Sequence, residues 1–395
     1  MARAWPLILA GALVAPFVTW LPMLAQQAPK LGLPQYPIVQ GIELWWLQAF
    51  YLVALGVLGT MIWREGDRWL GMAVGLAGVT VFYRGATLGA TLDQFGSVTL
   101  GPAHTAVFAL GAVMLVAVRH TPEHWRPHLA SLLAALGAFQ VVYVFHQLAG
   151  YDVLWGRFDG GRLGLVQPIG TLAGVDSVSA YIAILAPLMP LWCLPLAILA
   201  VWMGHSLSAL LALAVGLCVR YRPAVPSLQI PGIPGLGFVL TTAATSVAVL
   251  AFLSMLYLKG LATPAVASRF AVWKFGLKHA AVYDPVLGWG LGGWVNHVPL
   301  LQVHEKFLPF GANELWREAH SEPIQWLTEC GLIGGILLVG WLWTHRAMFV
   351  HPVWGGSVSA LAANSLGFFP FHVVPISLVG LIVVGLATSR MQEAT

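Results

Sequence analysis

Charge is what this chain has least of. Asp, Glu, Lys and Arg make up 9% of its 395 residues, while 58% are hydrophobic and the mean hydropathy is +0.80. So little polar surface cannot solvate a globule of this size, and the apolar residues gather in runs of about 20, the length that crosses a bilayer. Cysteine is nearly absent too. Cys193, Cys218 and Cys330 lie in or beside apolar runs without CxxC spacing, which excludes a disulfide framework and a cysteine metal site and leaves them as packing residues. No repeat of roughly 20–50 residues and no low-complexity linker occurs, so a solenoid or a chain of tethered domains is excluded. The net charge of +4 comes from 19 basic and 15 acidic residues placed mostly between the runs. It reports orientation in a membrane, and no basic patch supports nucleic-acid binding.

What is present is a series of apolar segments, twelve in all, near 7–25, 43–63, 69–83, 101–118, 129–148, 172–190, 192–204, 205–219, 236–258, 322–344, 353–370 and 372–389. The sequence therefore predicts an all-α polytopic membrane protein, a single membrane domain over 1–395 with about 12 transmembrane helices. Segment 7–25 fits a retained first helix, with a cleaved signal peptide as the alternative. If both termini are cytoplasmic, then Arg3, Arg64, Arg68, Arg119, Arg126, Arg220, Arg222, Arg346 and Arg390 all face the cytoplasm, as basic flanks should. Segment 192–204 is short for a span. Omitting it puts Arg220 and Arg222 on the wrong side, so it is expected as a short or tilted helix.

Two outer loops differ from the rest. Residues 149–171 form a short periplasmic loop with Arg157 and Arg162, and residues 259–321 form a long one, with short helices, between the ninth and tenth spans. By this topology ten of the 19 basic residues are external, eight of them in these two loops. Basic residues are normally scarce on that side, so an anionic ligand is the expected reason for them, with anionic headgroups as the competing one. Within the long loop, "TPAVASRFAVWKFGLKHA" predicts a helix lying along the outer membrane interface, with Thr263 as cap and Pro264 in the first turn. Val266, Arg269, Phe270, Trp273 and Leu277 share one face, and Lys274 and Lys278 another. A guanidinium among aromatics requires an anionic partner, either a ligand or an internal carboxylate such as Asp284. The following "YDPVLGWGLGGWVNH" has no strand before it and no βαβ context, which excludes a dinucleotide site. Gly288, Gly290, Gly292 and Gly293 instead predict a tight turn, with Trp289 and Trp294 as interface anchors.

Charge concentrates once more in "REAHSEPIQWLTECGLIGG", where Arg317, Glu318, His320 and Glu322 occupy six positions directly before an apolar run. Ser321 is placed to cap that helix and Pro323 to start it, which sets His320 at its outer mouth. Glu322, Gln325 and Glu329 form a polar stripe over roughly 10 Å of helix. A carboxylate at that depth is costly against lipid, so the stripe should face the bundle interior or a wet cavity. Gly331 and Gly335 predict close packing with a neighbouring helix.

"HSEPIQWLTECGLIGG" resembles the His-Asn/Ser…Leu-x-Glu-x-Gly signature of the O-antigen ligase and polymerase superfamily, membrane glycosyltransferases of the GT-C type. In matching order, "RFAVWKFGLKHAAVYDPVLGWGLGGW" resembles the family's Arg…Trp…Pro-x-x-Gly-x-Gly-x-Gly segment, and "NSLGFFPFH", Asn364 to His372, the segment between its last two helices. The resemblance covers about residues 150–390. It implies a bacterial inner-membrane enzyme, with its site facing the periplasm, that transfers a glycan from undecaprenyl pyrophosphate to an acceptor hydroxyl without metal, cofactor or nucleotide sugar. The acceptor would be lipid A core, with a second lipid-linked glycan or a pilin-like glycoprotein as alternatives. On this reading His320 is the base and the pyrophosphate is held by Arg269, Arg317, Arg162 and Arg157, with Glu322 or Glu329 orienting the histidine or shaping the acceptor pocket. The chain departs from the family at Leu207, where a hydroxyl residue is usually followed by Arg, and at Asp176, which stands where the family carries Asn. The missing cation would then come from Arg157 or Arg162, with His205 contributing. A transporter of lipid-linked oligosaccharide is the alternative from another class. It would need basic residues at mid-membrane depth and paired halves, and neither is evident.

Overall fold

The structure, a computed structural model, describes residues 45–84, 91–92, 98–99, 101–150, 170–172, 175–222, 264–307, 316, 318–368 and 370–389. Their regular structure is helical apart from a two-residue antiparallel ladder pairing Thr91–Leu92 with Val98–Thr99. In chain order the helices are α1 (Trp45–Arg64), α2 (Arg68–Arg84), α3 (Gly101–Arg119), α4 (Arg126–Leu148), α5 (Val175–Leu185), α6 (Leu194–Met203), α7 (Leu207–Tyr221), α8 (Pro264–Tyr283), α9 (Gly293–Glu305), α10 (Glu322–Thr344), α11 (Gly355–Ser365) and α12 (Val374–Thr388). Of the twelve apolar segments, 7–25 and 236–258 lie outside the described residues, and each of the other ten is a helix. Among the described residues, two stretches are long and apolar enough to cross a membrane, Glu123–Leu148 and Glu322–Thr344. The expected short helix after Trp192 is α6, only 10 residues between a proline-started 3-10 turn and Gly204.

The described residues fall into two compact units, one drawn from 45–120 and 268–346, the other from 121–222, 264–267 and 347–389. In the first, α1 and α2 form a hairpin whose backbones touch: a Cβ on Gly59 would lie 2.5 Å from the Gly71 carbonyl oxygen. Glycine at both positions permits that approach. Leu55, Ile62, Val74, Ala77, Ala112 and Val116 fill the core between α1, α2 and α3. α2 also packs on α10, where Gly340 makes room for the Trp69 ring.

In the second unit, α5 is buried from Val178 to Leu185, as a helix apolar on every side should be. α7 and α11 meet at Gly216, Gly356 and Ala360, where a Cβ on Gly216 would come within 2.9 Å of Ala360. Arg220 donates to the Pro187 and Pro352 carbonyls at 3.2 and 3.1 Å, satisfying acceptors stranded at helix ends. On α4, Gln147 accepts the Gly170 N–H at 2.8 Å and Gln140 the Thr171 N–H at 3.3 Å. These glutamines fix the chain where it leaves the basic loop of residues 149–171.

Helix ends of the first unit converge on one carboxylate. Asp67, buried in the α1–α2 turn, accepts from Arg119 Nη1 at 2.7 Å and from Trp341 Nε1 at 3.0 Å through Oδ2, while Oδ1 caps the Leu70 N–H. His345 completes the cluster, with Nδ1 3.0 Å from the Trp341 carbonyl and Nε2 3.4 Å from Arg119 Nη2. That pattern requires the neutral tautomer with the proton on Nδ1. Burial, reinforced by the Arg119 charge and opposed by Asp67, holds the His345 pKa below its ordinary value. The neutral ring therefore contributes stability that is complete above about pH 6.5 and is lost as pH falls through the depressed pKa. Thermal midpoints measured against pH should accordingly fall on the acid side in wild type and flatten there in His345→Gln. Asp67→Asn, which leaves a buried guanidinium without its carboxylate, should cost about 3–5 kcal/mol at neutral pH. Glu65→Gln, at the half-exposed His120 pair, should change the midpoint little.

Candidate functional site

The long apolar helix α10 is broken. Gly331 has φ 60° and ψ −161°, outside the helical region, and the break strips neighbouring backbone groups of their partners one turn away. The glycine-rich turn between α8 and α9 replaces them. Trp289 N–H donates to the Thr328 carbonyl at 3.0 Å and Gly290 N–H to the Glu329 carbonyl at 2.7 Å. In return Leu332 N–H donates to the Pro285 carbonyl at 2.9 Å and Ile333 N–H to the Val286 carbonyl at 3.2 Å. Two carbonyls and two N–H groups beside the break thus regain partners, as buried backbone demands. Contact is backbone against backbone: a Cβ on Gly288, itself at φ 67°, would sit 2.5 Å from the Thr328 carbonyl oxygen, and one on Gly331 would strike the Val286 carbonyl. Gly331 therefore packs against this turn, not against a neighbouring helix as its spacing from Gly335 predicts.

Glu329 lies beside the break, buried. Its Oε2 accepts the Gly292 N–H at 2.9 Å, and its Oε1 accepts the Trp294 N–H at 3.1 Å and Gln325 Nε2 at 3.2 Å. Gly292 is the left-handed N-cap of α9, so the carboxylate meets the positive end of that helix, where uncapped N–H groups welcome an anion. The expected polar stripe does face the interior, and in it Glu329 anchors the glycine turn. Both of its oxygens are engaged, by the turn and by Gln325.

Three helices then hold the segment that carries His320. Trp316 N–H donates to Gln302 Oε1 at 2.8 Å, and its carbonyl accepts Trp294 Nε1 at 3.1 Å. Ala319 N–H donates to Gln325 Oε1 at 3.1 Å, and its carbonyl accepts Trp273 Nε1. Beneath lies a core of Val272, Phe275, Ala280, Trp289, Trp294, Val298 and Ala319. Trp289 and Trp294 are 3% and 0% exposed, so they are core residues and not interface anchors. Their burial also turns α8: the packed face carries Ser268, Val272, Phe275 and Ala280, with Gly276 opening space for the Trp294 ring. Lys274 and Lys278 are exposed, as expected. Phe270 is exposed.

His320 follows this clamped peptide with φ 51°, left-handed for a residue with a Cβ. Its half-buried ring meets Trp316 edge-on, with centroids 5.2 Å apart. Ser321 occupies the N-cap position of α10 in extended conformation, but its side chain makes no cap hydrogen bond. Glu322 begins the helix, half-buried, two residues beyond the imidazole. Arg269 is half-buried on α8, one helical turn before Trp273 and so on the side of the helix that reaches Ala319. Asp284 is not its natural partner, since it lies beyond the far end of α8, about 22 Å along the axis, and its Oδ1 caps the Val286 and Leu287 N–H groups. Arg157, Arg162 and Arg317 lie outside the described residues. His205 belongs to the other unit, exposed and left-handed before α7. The bonds by which Gln302 and Trp273 clamp this segment carried no recognisable signal, because they run to peptide groups and not to complementary side chains.

The chain matches no protein-family model and no curated protein sequence.

If the glycine turn splices the break, Gly331→Ala and Glu329→Gln should each release it. The glutamine amide would direct a donor at N–H groups that need an acceptor, costing on the order of 2–3 kcal/mol. Limited proteolysis should then cut between Tyr283 and Trp294 in both variants, with wild type and Glu322→Gln protected there.

Proposed function

We propose that the protein is an O-antigen ligase-like glycosyltransferase of a bacterial inner membrane, moving a glycan from undecaprenyl pyrophosphate to an acceptor hydroxyl at the periplasmic face, with lipid A core as the favoured acceptor. One observation carries this reading: the histidine singled out by the motif resemblance stands at the mouth of a long apolar helix, on a backbone held by α8, α9 and α10. A general base needs such placement before it needs any particular pKa. An apolar stripe of exposed residues along α10, Leu332, Ile336, Val339 and Trp343, suits hydrocarbon and would be a liability in water.

The chemistry is a single displacement. His320 takes the proton of the acceptor hydroxyl as its oxygen attacks the anomeric carbon. The bond from that carbon to the pyrophosphate oxygen breaks, the electron pair leaves with undecaprenyl pyrophosphate, and the anomeric configuration inverts. Leaving-group charge is balanced by guanidinium groups, which grip phosphate oxygens in pairs and stay protonated. Arg269 is assigned first to that role because it lies on the helix whose Trp273 touches the histidine segment. Arg317, Arg162 and Arg157 complete the assignment from the sequence. Glu322, beside the imidazole in sequence, serves the acceptor side.

The test uses purified protein in lipid with an undecaprenyl-pyrophosphate glycan and, separately, lipid A core, a second lipid-linked glycan and a pilin-like protein. Mass spectrometry follows glycosylated product and freed carrier. Product should appear with lipid A core and fall about 10²–10⁴-fold in His320→Ala. Arg269→Lys, which cannot grip phosphate oxygens in pairs, should be impaired where Lys274→Ala is not. Product with another acceptor alone would reassign the enzyme to polymerisation or protein glycosylation. Intact carrier in every mixture, with transbilayer movement of the lipid, would replace transfer with transport.

A further inference from the structure

A left-handed backbone at a residue with a Cβ is unfavourable and persists only where the surroundings over-determine it. His320 is such a residue, and what over-determines it lies next to it in the chain. The Ala319 residue is held on both its backbone polar groups by side chains. Gln325 Oε1, from the first turns of α10, accepts its N–H at 3.1 Å, and Trp273 Nε1, from α8, donates to its carbonyl. Both Ala319 and Gln325 are buried, 0% and 2% exposed, so water does not compete for these bonds. Gln325 is itself braced: its Nε2 donates to Glu329 Oε1 at 3.2 Å, and that oxygen also accepts the Trp294 N–H. Its amide orientation is therefore determined, with oxygen toward Ala319 and nitrogen toward Glu329.

We infer that Gln325 and Trp273 are positioning residues for His320: by fixing the Ala319 backbone from two helices they set the direction in which the next residue projects its imidazole. This rests on the proposal that His320 is the base. Neither residue touches the reacting atoms; they act through the backbone. The carbonyl of Ala319 belongs to the peptide that continues into His320, so a donor lost there frees rotation about the bond that aims the ring. Trp316, which meets the His320 ring edge-on, supplies a wall, but a wall alone does not select the left-handed conformation.

Trp273→Phe removes the indole donor while keeping an aromatic ring, and Gln325→Met removes both amide groups at similar volume. Each variant is compared with wild type and Lys274→Ala for turnover, donor KM, thermal midpoint and the rate at which diethyl pyrocarbonate modifies His320, read by peptide mass spectrometry. Turnover should fall roughly 10–10²-fold well below the thermal midpoint with donor KM little changed, as misplacement by about 1 Å produces. His320 should be modified several-fold faster once its ring can leave Trp316. A residue that merely stabilises the fold would lower the midpoint and leave both turnover of folded protein and His320 reactivity unchanged, and that result in Trp273→Phe and Gln325→Met would overturn the inference. The acylation rate needs no turnover, so if wild type transfers no glycan, the proposed function fails while His320 reactivity still decides the positioning claim.

Discussion

A helix broken in mid-course leaves carbonyls without donors and N–H groups without acceptors, and the first unit of this protein is organised around meeting that demand at Gly331. The turn from Pro285 to Gly290 presents two donors and two acceptors in the order the break requires. Glycine at 288 and 331 is obligatory twice over, because both positions are left-handed and a Cβ at either would strike the opposing backbone. Once the turn is seated, the start of α9 is fixed, its open N–H groups point at Glu329, and the Trp294 ring is delivered into the core beneath His320.

This ordering explains why a carboxylate occupies the interior of so apolar a chain. Two peptide N–H groups and the Gln325 amide surround Glu329, so its charge is met by directed dipoles from a helix terminus. The first unit repeats the device at its other polar centre, where Asp67 gathers Arg119, Trp341 and the start of α2. In both cases one buried acid replaces several separate contacts among elements that come together from distant parts of the chain.

The helices were legible because a run of apolar residues is a local property. Even the short α6 follows from charge bookkeeping around Arg220. The place of His320 was legible for a similar reason: proline and serine next to an apolar run mark a helix start whatever lies around it. Other features depend on partners distant in the chain. Nothing near Gly331 announces a break, since glycine is common in apolar helices and the compensating groups lie in the turn before α9. Trp289 and Trp294 look like membrane-interface residues by composition, yet both are buried, and Gly276 on another helix makes the room for Trp294. The period of α8 gave the helix, and which of its residues pack against Trp294 depends on that distant ring. Side-chain bonds to peptide groups, as from Gln302, Gln325 and Trp273, leave no pairing of residue types to read.

The splice at Gly331 also has a consequence for biosynthesis. The turn that completes α10 is translated before α10 exists, so its glycines leave the ribosome with their backbone groups committed to a helix not yet made. The region from α8 to α10 therefore cannot mature in chain order. It must wait until the tenth described helix has been synthesised and has broken at the right residue, which makes late formation of α10 the event that closes this region. A chain that stalled before Ile333 would carry the complete histidine segment yet lack the register that seats it.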